Sequence, residues 1–135
     1  MKERTITITR KITDDDLINI LCGATSTACA GWCWKVDYDS YEYAEAREQL
    51  LSVGNEERDI CFEDVLLQML KNRSFLSFYD VEEKIWRILD MDRFIKGIEL
   101  YMSSEYCSSH DIDDWDDTDF DNVIQYSFFG EIVYG

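Results

Sequence analysis

The stretch FLSFYDVEEKIWRIL, residues 75–89, decides how we expect this chain to fold. Residues 75–79 and 84–89 are rich in aromatic and β-branched side chains, which favour strands. Only Asp80, Val81, Glu82 and Glu83 join the two strands, which predicts a hairpin. A helix capped by Asp90 or Asp92 is predicted to follow, because apolar residues recur three and four apart on one face: Phe94, Ile95, Ile98, Tyr101 and Met102.

Periodicity predicts further elements on both sides of this hairpin. Isoleucine and threonine alternate in residues 4–10, which predicts a half-buried strand, and residues 33–38 predict another. One helix is predicted to begin after Thr13 and to end between Gly23 and Gly31. Three more helices are predicted over residues 41–51, 61–70 and 118–129. The predicted fold is an α+β domain spanning residues 1–135, a small and mainly antiparallel sheet with helices packed largely on one face.

Composition excludes several classes of function. The chain has 135 residues, a formal charge of -16 and a pI near 4.2, yet 46 % of its residues are hydrophobic, so we expect a folded acidic domain. Direct binding to nucleic acid or to an anionic membrane is disfavoured because both depend on Lys and Arg. Residues 17–34 carry no formal charge but are too polar for a membrane span. The N-terminus lacks the apolar core of a signal peptide, which predicts a cytoplasmic protein with reduced cysteines.

The negative charge is concentrated near the C-terminus. No Lys or Arg follows Lys96, while residues 97–135 carry ten acidic side chains, and seven of the eleven residues from Asp111 to Asp121 are Asp. Such a surface indicates a positive partner, a bound cation or repulsion that keeps the protein soluble. Trp115 within the run is either an anchor for a partner or a residue that fastens the loop to the core.

Metal sites are weaker hypotheses. An EF-hand requires oxygen ligands at positions 1, 3 and 5, Gly at 6 and Glu at 12. Starting at Asp111 places Trp115 at position 5, and starting at Asp114 places Asp119 at position 6, so neither register fits. The candidate ligands of a zinc site are Cys29, Cys33, Cys107 and His110. Their spacing permits such a site, but the sequence has no closely spaced C-x2-C motif. The alternative is that the cysteines are buried, reduced thiols. We expect no cofactor.

No catalytic motif is recognisable. The sequence has no P-loop, no G-x-S-x-G, no H-E-x-x-H and no dinucleotide-binding glycine pattern. His110 is the single histidine, and no pair among the 29 acidic residues is singled out for acid–base chemistry. We therefore expect the protein to act by binding rather than as an enzyme.

The C-terminal stretch VIQYSFFGEIVYG, residues 123–135, resembles the tail of a largely uncharacterised family of small acidic proteins from phages, prophages and mobile elements of Gram-positive bacteria. Residues 8–16, 31–36 and 94–101 match the same pattern, and the chain is longer than that pattern between Gly54 and Glu83. The resemblance implies a phage protein acting in a host bacterial cell. Small acidic proteins from such elements include inhibitors of host defences, among them anti-CRISPR proteins that occupy DNA-binding grooves.

These observations lead to one main hypothesis and two alternatives. The main one is an anti-CRISPR-like inhibitor whose acidic surface mimics DNA and binds a basic groove of a CRISPR effector. The alternatives are an accessory or structural phage protein, acidic for solubility and homo-oligomeric through its aromatic surface, and a zinc-binding protein. The predicted partner-binding residues of the main hypothesis are Asp111, Asp113, Asp114, Asp116, Asp117, Asp119, Asp121 and Trp115.

Overall fold

The predicted hairpin forms two strands of a three-stranded sheet. A computed structural model describes residues 2–6, 9–28 and 31–135. Strands β2 (Leu76–Asp80) and β3 (Ile85–Leu89) pair antiparallel, with Leu76 opposite Leu89 and Asp80 opposite Ile85. Strand β1 (Cys33–Asp37) pairs antiparallel with the other side of β2, so the order in the sheet is β1-β2-β3. The predictions for these three strands are confirmed.

Five α-helices are present in the described part of the chain, close to their predicted positions. The Thr13 hydroxyl caps the first helix and the Asp90 carboxylate caps the fourth, as expected from side chains that accept hydrogen bonds from orphan N–H groups. A π-helical segment, Ala24–Ala28, continues the first helix towards Gly31. The helices are α1 (Asp14–Gly23), α2 (Ser40–Ser52), α3 (Phe62–Lys71), α4 (Met91–Met102) and α5 (Asp117–Phe129).

The two faces of the sheet are different, which confirms the predicted α+β architecture with helices largely on one side. The inner face buries Leu76 and Phe78 of β2 and Leu89 of β3. There the centroid of the Phe78 ring lies 5.5 Å from the centroid of the Phe128 ring of α5. On the outer face, Trp86 and Ile88 remain 46 % and 44 % exposed. Since side chains alternate between faces along a strand, only the inner set joins the core.

Helices α4 and α5 pack closely against each other, α5 contacts β3 of the sheet, and α3 packs against α1 and α2. Glycine is required at one point of the α4–α5 contact. A Cβ atom on Gly97 would collide with the Ser127 hydroxyl and would lie 2.7 Å from the Ser127 Cα atom. In the part of the chain that the structure describes, no helix is both long and apolar enough to cross a membrane.

The predicted N-terminal strand is not observed. Residues 2–6, 9 and 10 are irregular and exposed, and Ile6 keeps 80 % of its surface exposed, whereas Thr7 and Ile8 lie outside the described residues. The prediction of a half-buried strand is therefore wrong for the described residues. Alternating Ile and Thr favour an extended chain, but a strand also needs a neighbour for its N–H and C=O groups, and the sheet does not supply one to these residues.

Candidate functional site

The acidic run connects α4 to α5 and is fastened to the core by its apolar residues. A short 3-10 helix, Ile112–Asp114, precedes α5. Ile112 and Trp115 are only 2 % and 8 % exposed, and the Trp115 indole N–H donates to the Ser109 carbonyl at 2.9 Å. The Trp115 ring also packs edge-on against Tyr101 of α4. Trp115 therefore fastens the run to the core, which is one of the two roles expected for it, and its contact with a partner stays a prediction.

Several carboxylates of the run stabilise its backbone. Asp111 accepts a hydrogen bond from the Asp113 N–H at 3.1 Å. Asp116 caps α5 by accepting from the N–H groups of Thr118 and Asp119, and Asp119 in return accepts from the Asp116 N–H at 2.9 Å. These reciprocal bonds form a capping box, which satisfies backbone donors at the start of the helix. The run is consequently an ordered turn and helix start.

Asp119 and Asp121 face partly inward. The Tyr101 hydroxyl donates to Asp119, and burial together with that carboxylate raises the pKa of Tyr101 well above its ordinary value. Asp121 accepts from the Trp32 indole N–H at 2.6 Å and from the Gln125 amide at 3.1 Å. Both carboxylates are half-buried, so they tie α5 to neighbouring elements.

The other five carboxylates are exposed and form the candidate site. They lie within seven consecutive residues, and residues 97–135 contain no Lys or Arg. We refer to them as the acidic surface, which consists of Asp111, Asp113, Asp114, Asp116 and Asp117.

The predicted zinc ligands are found in different environments. Cys33 is buried in β1, whereas Cys29 lies outside the described residues. The Cys107 thiol is half-buried and donates to the Ser109 carbonyl at 3.1 Å, and burial raises its pKa. His110 is exposed, with its Nε2 atom 2.9 Å from the Met102 carbonyl oxygen. Among the described residues, no group of three His, Cys, Asp or Glu side chains is arranged to hold a metal ion.

Sequence reasoning missed a buried charge cluster at the end of β2. The Asp80 side chain is fully buried and accepts from the Arg87 guanidinium at 2.9 Å and from the Tyr134 hydroxyl at 2.9 Å. Burial raises the pKa of this carboxyl, but hydrogen bonds from the Glu83 N–H, Arg87, Tyr134 and the Glu82 N–H outweigh that effect, so the pKa lies below its ordinary value. Asp80 thus holds the hairpin turn, β3 and the C-terminal tail together.

The tail is held a second time by a buried amide. Gln125 of α5 is inaccessible to solvent, and its Oε1 atom accepts from the N–H groups of Val133 and Tyr134 at 2.8 Å. Its Nε2 atom donates to the Tyr134 carbonyl at 3.0 Å. Residues 125, 133 and 134 therefore have a visible structural role in holding the C-terminal tail on α5.

The region from Gly54 to Glu83 forms part of the core and one wall of a surface cleft. It contains α3 and β2, whose buried residues include Leu66 and Phe78. The cleft has a volume of about 210 Å³ and lies between α1, α2 and α3, where Lys71 pairs with Asp14 at 2.5 Å. Asp59 and Asp64 also line this cleft.

No protein-family model, curated protein or solved structure matches this chain.

Proposed function

We propose that this protein is a non-enzymatic, anti-CRISPR-like inhibitor encoded by a phage or mobile element of a Gram-positive bacterium. It binds a basic nucleic-acid groove of a CRISPR effector through the acidic surface and thereby excludes DNA or guide RNA. The observation that carries the proposal is the ordered presentation of five exposed carboxylates within seven residues.

Ordered presentation matters because binding a flexible acidic tail would cost additional conformational entropy. The buried side chains of Ile112 and Trp115 fix the run to the core, and the capping box fixes its junction with α5. The acidic surface is therefore organised before a partner arrives.

The charge density suits a groove that normally holds nucleic acid. Duplex DNA carries one phosphate per about 1.7 Å of its axis, and proteins contact it mainly with Lys and Arg. The acidic surface places carboxylates at closely spaced positions, and residues 97–135 supply no positive side chain of their own. A Lys- or Arg-lined groove is consequently the partner that this surface complements best.

Electrostatics dominate the proposed contact because Trp115, the aromatic residue between Asp111 and Asp117, is buried. Trp115 is 8 % exposed, so it adds little apolar area at the interface. Exposed charge pairs are screened at high ionic strength, which predicts that binding weakens steeply with salt.

The test is displacement of fluorescently labelled target DNA from a purified, guide-loaded CRISPR effector of a Gram-positive host. We expect the protein to displace the DNA at low salt, and we expect Asn replacements of all five carboxylates to abolish displacement. If the five-fold Asn variant displaced DNA as well as the natural chain, the proposed role of the acidic surface would be wrong. If the natural chain displaced no DNA from any effector tested, CRISPR inhibition by groove occupancy would be wrong.

A further inference from the structure

An open groove lies beside strand β3 and is formed by residues of β3, α4 and α5. It has a volume of about 290 Å³ and is lined by Trp86, Arg87, Ile88, Arg93 and Phe128. Two guanidinium groups and two aromatic rings therefore share a space near the lower end of the range for ligand pockets. Among the described residues, no carboxylate lines this groove, whereas three aspartates line the cleft between α1, α2 and α3.

Arg87 is held at the groove by the buried charge cluster. Its Nε atom donates to the fully buried Asp80 at 2.9 Å, and its guanidinium lies 4.5 Å from the centre of the Phe129 ring. The Nη donors of Arg87 have no hydrogen-bond partner among the described residues. Because the guanidinium is already fixed in position, little conformational entropy is lost when these donors bind a ligand.

Arg93 at the start of α4 supplies the second guanidinium. Its Nη1 atom donates to Asp90 at 3.2 Å, and the two side chains are 54 % and 41 % exposed. Exposed ion pairs of this kind contribute little to stability, so an anionic ligand can replace Asp90 as the partner of Arg93 at low cost.

Two guanidinium groups suit a phosphate better than a carboxylate. A guanidinium can present two parallel N–H groups to an oxyanion, so a pair of them offers more donors than the two oxygens of one carboxylate can accept in a bidentate manner. A phosphate monoester has three terminal oxygens and carries nearly two negative charges at neutral pH. Phosphate is therefore the anion that these two side chains match.

Trp86 offers a surface for a planar ring beside the two guanidinium groups. It is 46 % exposed on the outer face of the sheet, and its ring centroid lies 5.1 Å from that of Tyr79, which supports it. Nucleic-acid bases stack on exposed aromatic side chains, and every base has a π-face for this contact.

We propose that the groove binds a nucleoside monophosphate, with its phosphate between Arg87 and Arg93 and its base on Trp86. A mononucleotide needs one phosphate site, whereas a nucleic acid needs a row of basic residues that this chain lacks. The molecule is strongly acidic as a whole, but charges more than about 8 Å away are largely screened at physiological ionic strength. This inference does not depend on the proposed function.

Isothermal titration calorimetry of the full chain with AMP tests the proposal. We expect saturable binding to the natural chain, and we expect Arg93→Gln to weaken it at least about tenfold because one guanidinium is lost. Arg58→Gln is the matched control, since Arg58 is also an exposed arginine paired with a nearby glutamate but does not line the groove. It should leave AMP binding unchanged. Circular dichroism of each variant verifies that it is folded.

Two further ligands separate the contacts. Adenosine lacks the phosphate and should bind at least about tenfold more weakly than AMP. Inorganic phosphate lacks the ring, so Trp86→Ala should weaken binding of AMP but not of inorganic phosphate. The proposal would be overturned by a natural chain that binds no AMP at millimolar concentrations, by equal AMP affinities of Arg93→Gln and Arg58→Gln, or by adenosine binding as tightly as AMP. Unchanged AMP binding by Trp86→Ala would overturn the position assigned to the base.

Discussion

At the scale of single residues, Asp80 is a fully buried carboxylate that needs hydrogen-bond donors around it. A fully buried carboxylate is unfavourable unless charged or polar donors compensate for lost hydration. Here Arg87, Tyr134 and two backbone N–H groups of the hairpin turn provide that compensation. Arg87 in turn lies 4.5 Å above the Phe129 ring, which adds a cation–π contact. One side chain therefore connects the sheet to the C-terminal tail.

Replacement of Asp80 should expose this dependence as a function of pH. The folded pKa of Asp80 lies below its ordinary value of 3.8, so its ionised form stabilises the fold above about pH 4, and this contribution is lost as pH falls through the folded pKa. We expect Asp80→Asn to lower the free energy of unfolding by about 2–3 kcal/mol at pH 7 and by less at pH 3. Urea unfolding at both pH values measures the difference.

Tyr134→Phe is the control for this measurement, because it removes one donor and leaves the Asp80–Arg87 pair in place. We expect it to cost about 1 kcal/mol. An equal loss of stability for Asp80→Asn at pH 7 and pH 3 would show that the carboxylate charge is not the stabilising feature.

At the scale of elements, the close contact between α4 and α5 limits the size of the side chain at residue 97. Gly97 allows the two helix backbones to approach, with the Ser127 backbone at 2.7 Å from the position of a Cβ atom. Overpacking of this kind forces backbone shifts, because protein interiors have few voids.

We predict that Gly97→Ala destabilises the protein by about 1–3 kcal/mol, although alanine is the better helix former. Thermal unfolding measures the effect. Gly31→Ala is the matched control, since among the described residues no atom beyond its chain neighbours lies within 4 Å of a Cβ at that position, and its melting temperature should stay close to that of the natural chain. A variant Gly97→Ala that melts at the same temperature or higher would contradict the close helix contact.

Asp116 and Asp113 have different roles within the acidic run, although both are exposed aspartates. Asp116 caps α5, so Asp116→Ala should lower the free energy of unfolding by about 1 kcal/mol. Asp113→Ala removes a charge without removing a cap and should change stability by less than about 0.5 kcal/mol. Chemical unfolding of the two variants side by side measures the difference, and identical values would show that the capping box contributes nothing.

Local sequence signals predicted most elements but not the tertiary contacts of the site. Alternation and helical spacing placed β1 to β3 and the five helices, since each depends on neighbouring residues. The contact between Asp80 and Tyr134 joins residues 54 positions apart, which no local pattern encodes. The run of aspartates predicted negative charge correctly, but charge alone does not reveal that Asp119 and Asp121 turn inward to Tyr101 and Trp32.

At the scale of the whole molecule, charge is distributed unevenly. The chain has a formal charge of -16, but the acidic surface is compact and lies beside a core, whereas the exposed Glu42, Glu45 and Glu48 form a separate set along α2. A general solubility role would make these two sets equivalent. If the acidic surface binds a specific partner, removing its charges should weaken binding more than removing an equal number of charges elsewhere.

The most direct test of the central claim is the dissociation constant for a purified, guide-loaded CRISPR effector, measured for two charge-matched variants. Asp113→Asn, Asp114→Asn and Asp117→Asn together neutralise three charges of the acidic surface and leave the caps intact. Glu42→Gln, Glu45→Gln and Glu48→Gln together neutralise three charges on α2. We predict that the first variant binds at least about tenfold more weakly than the natural chain and that the second binds within about twofold of it. Equal dissociation constants for the two variants would contradict the account.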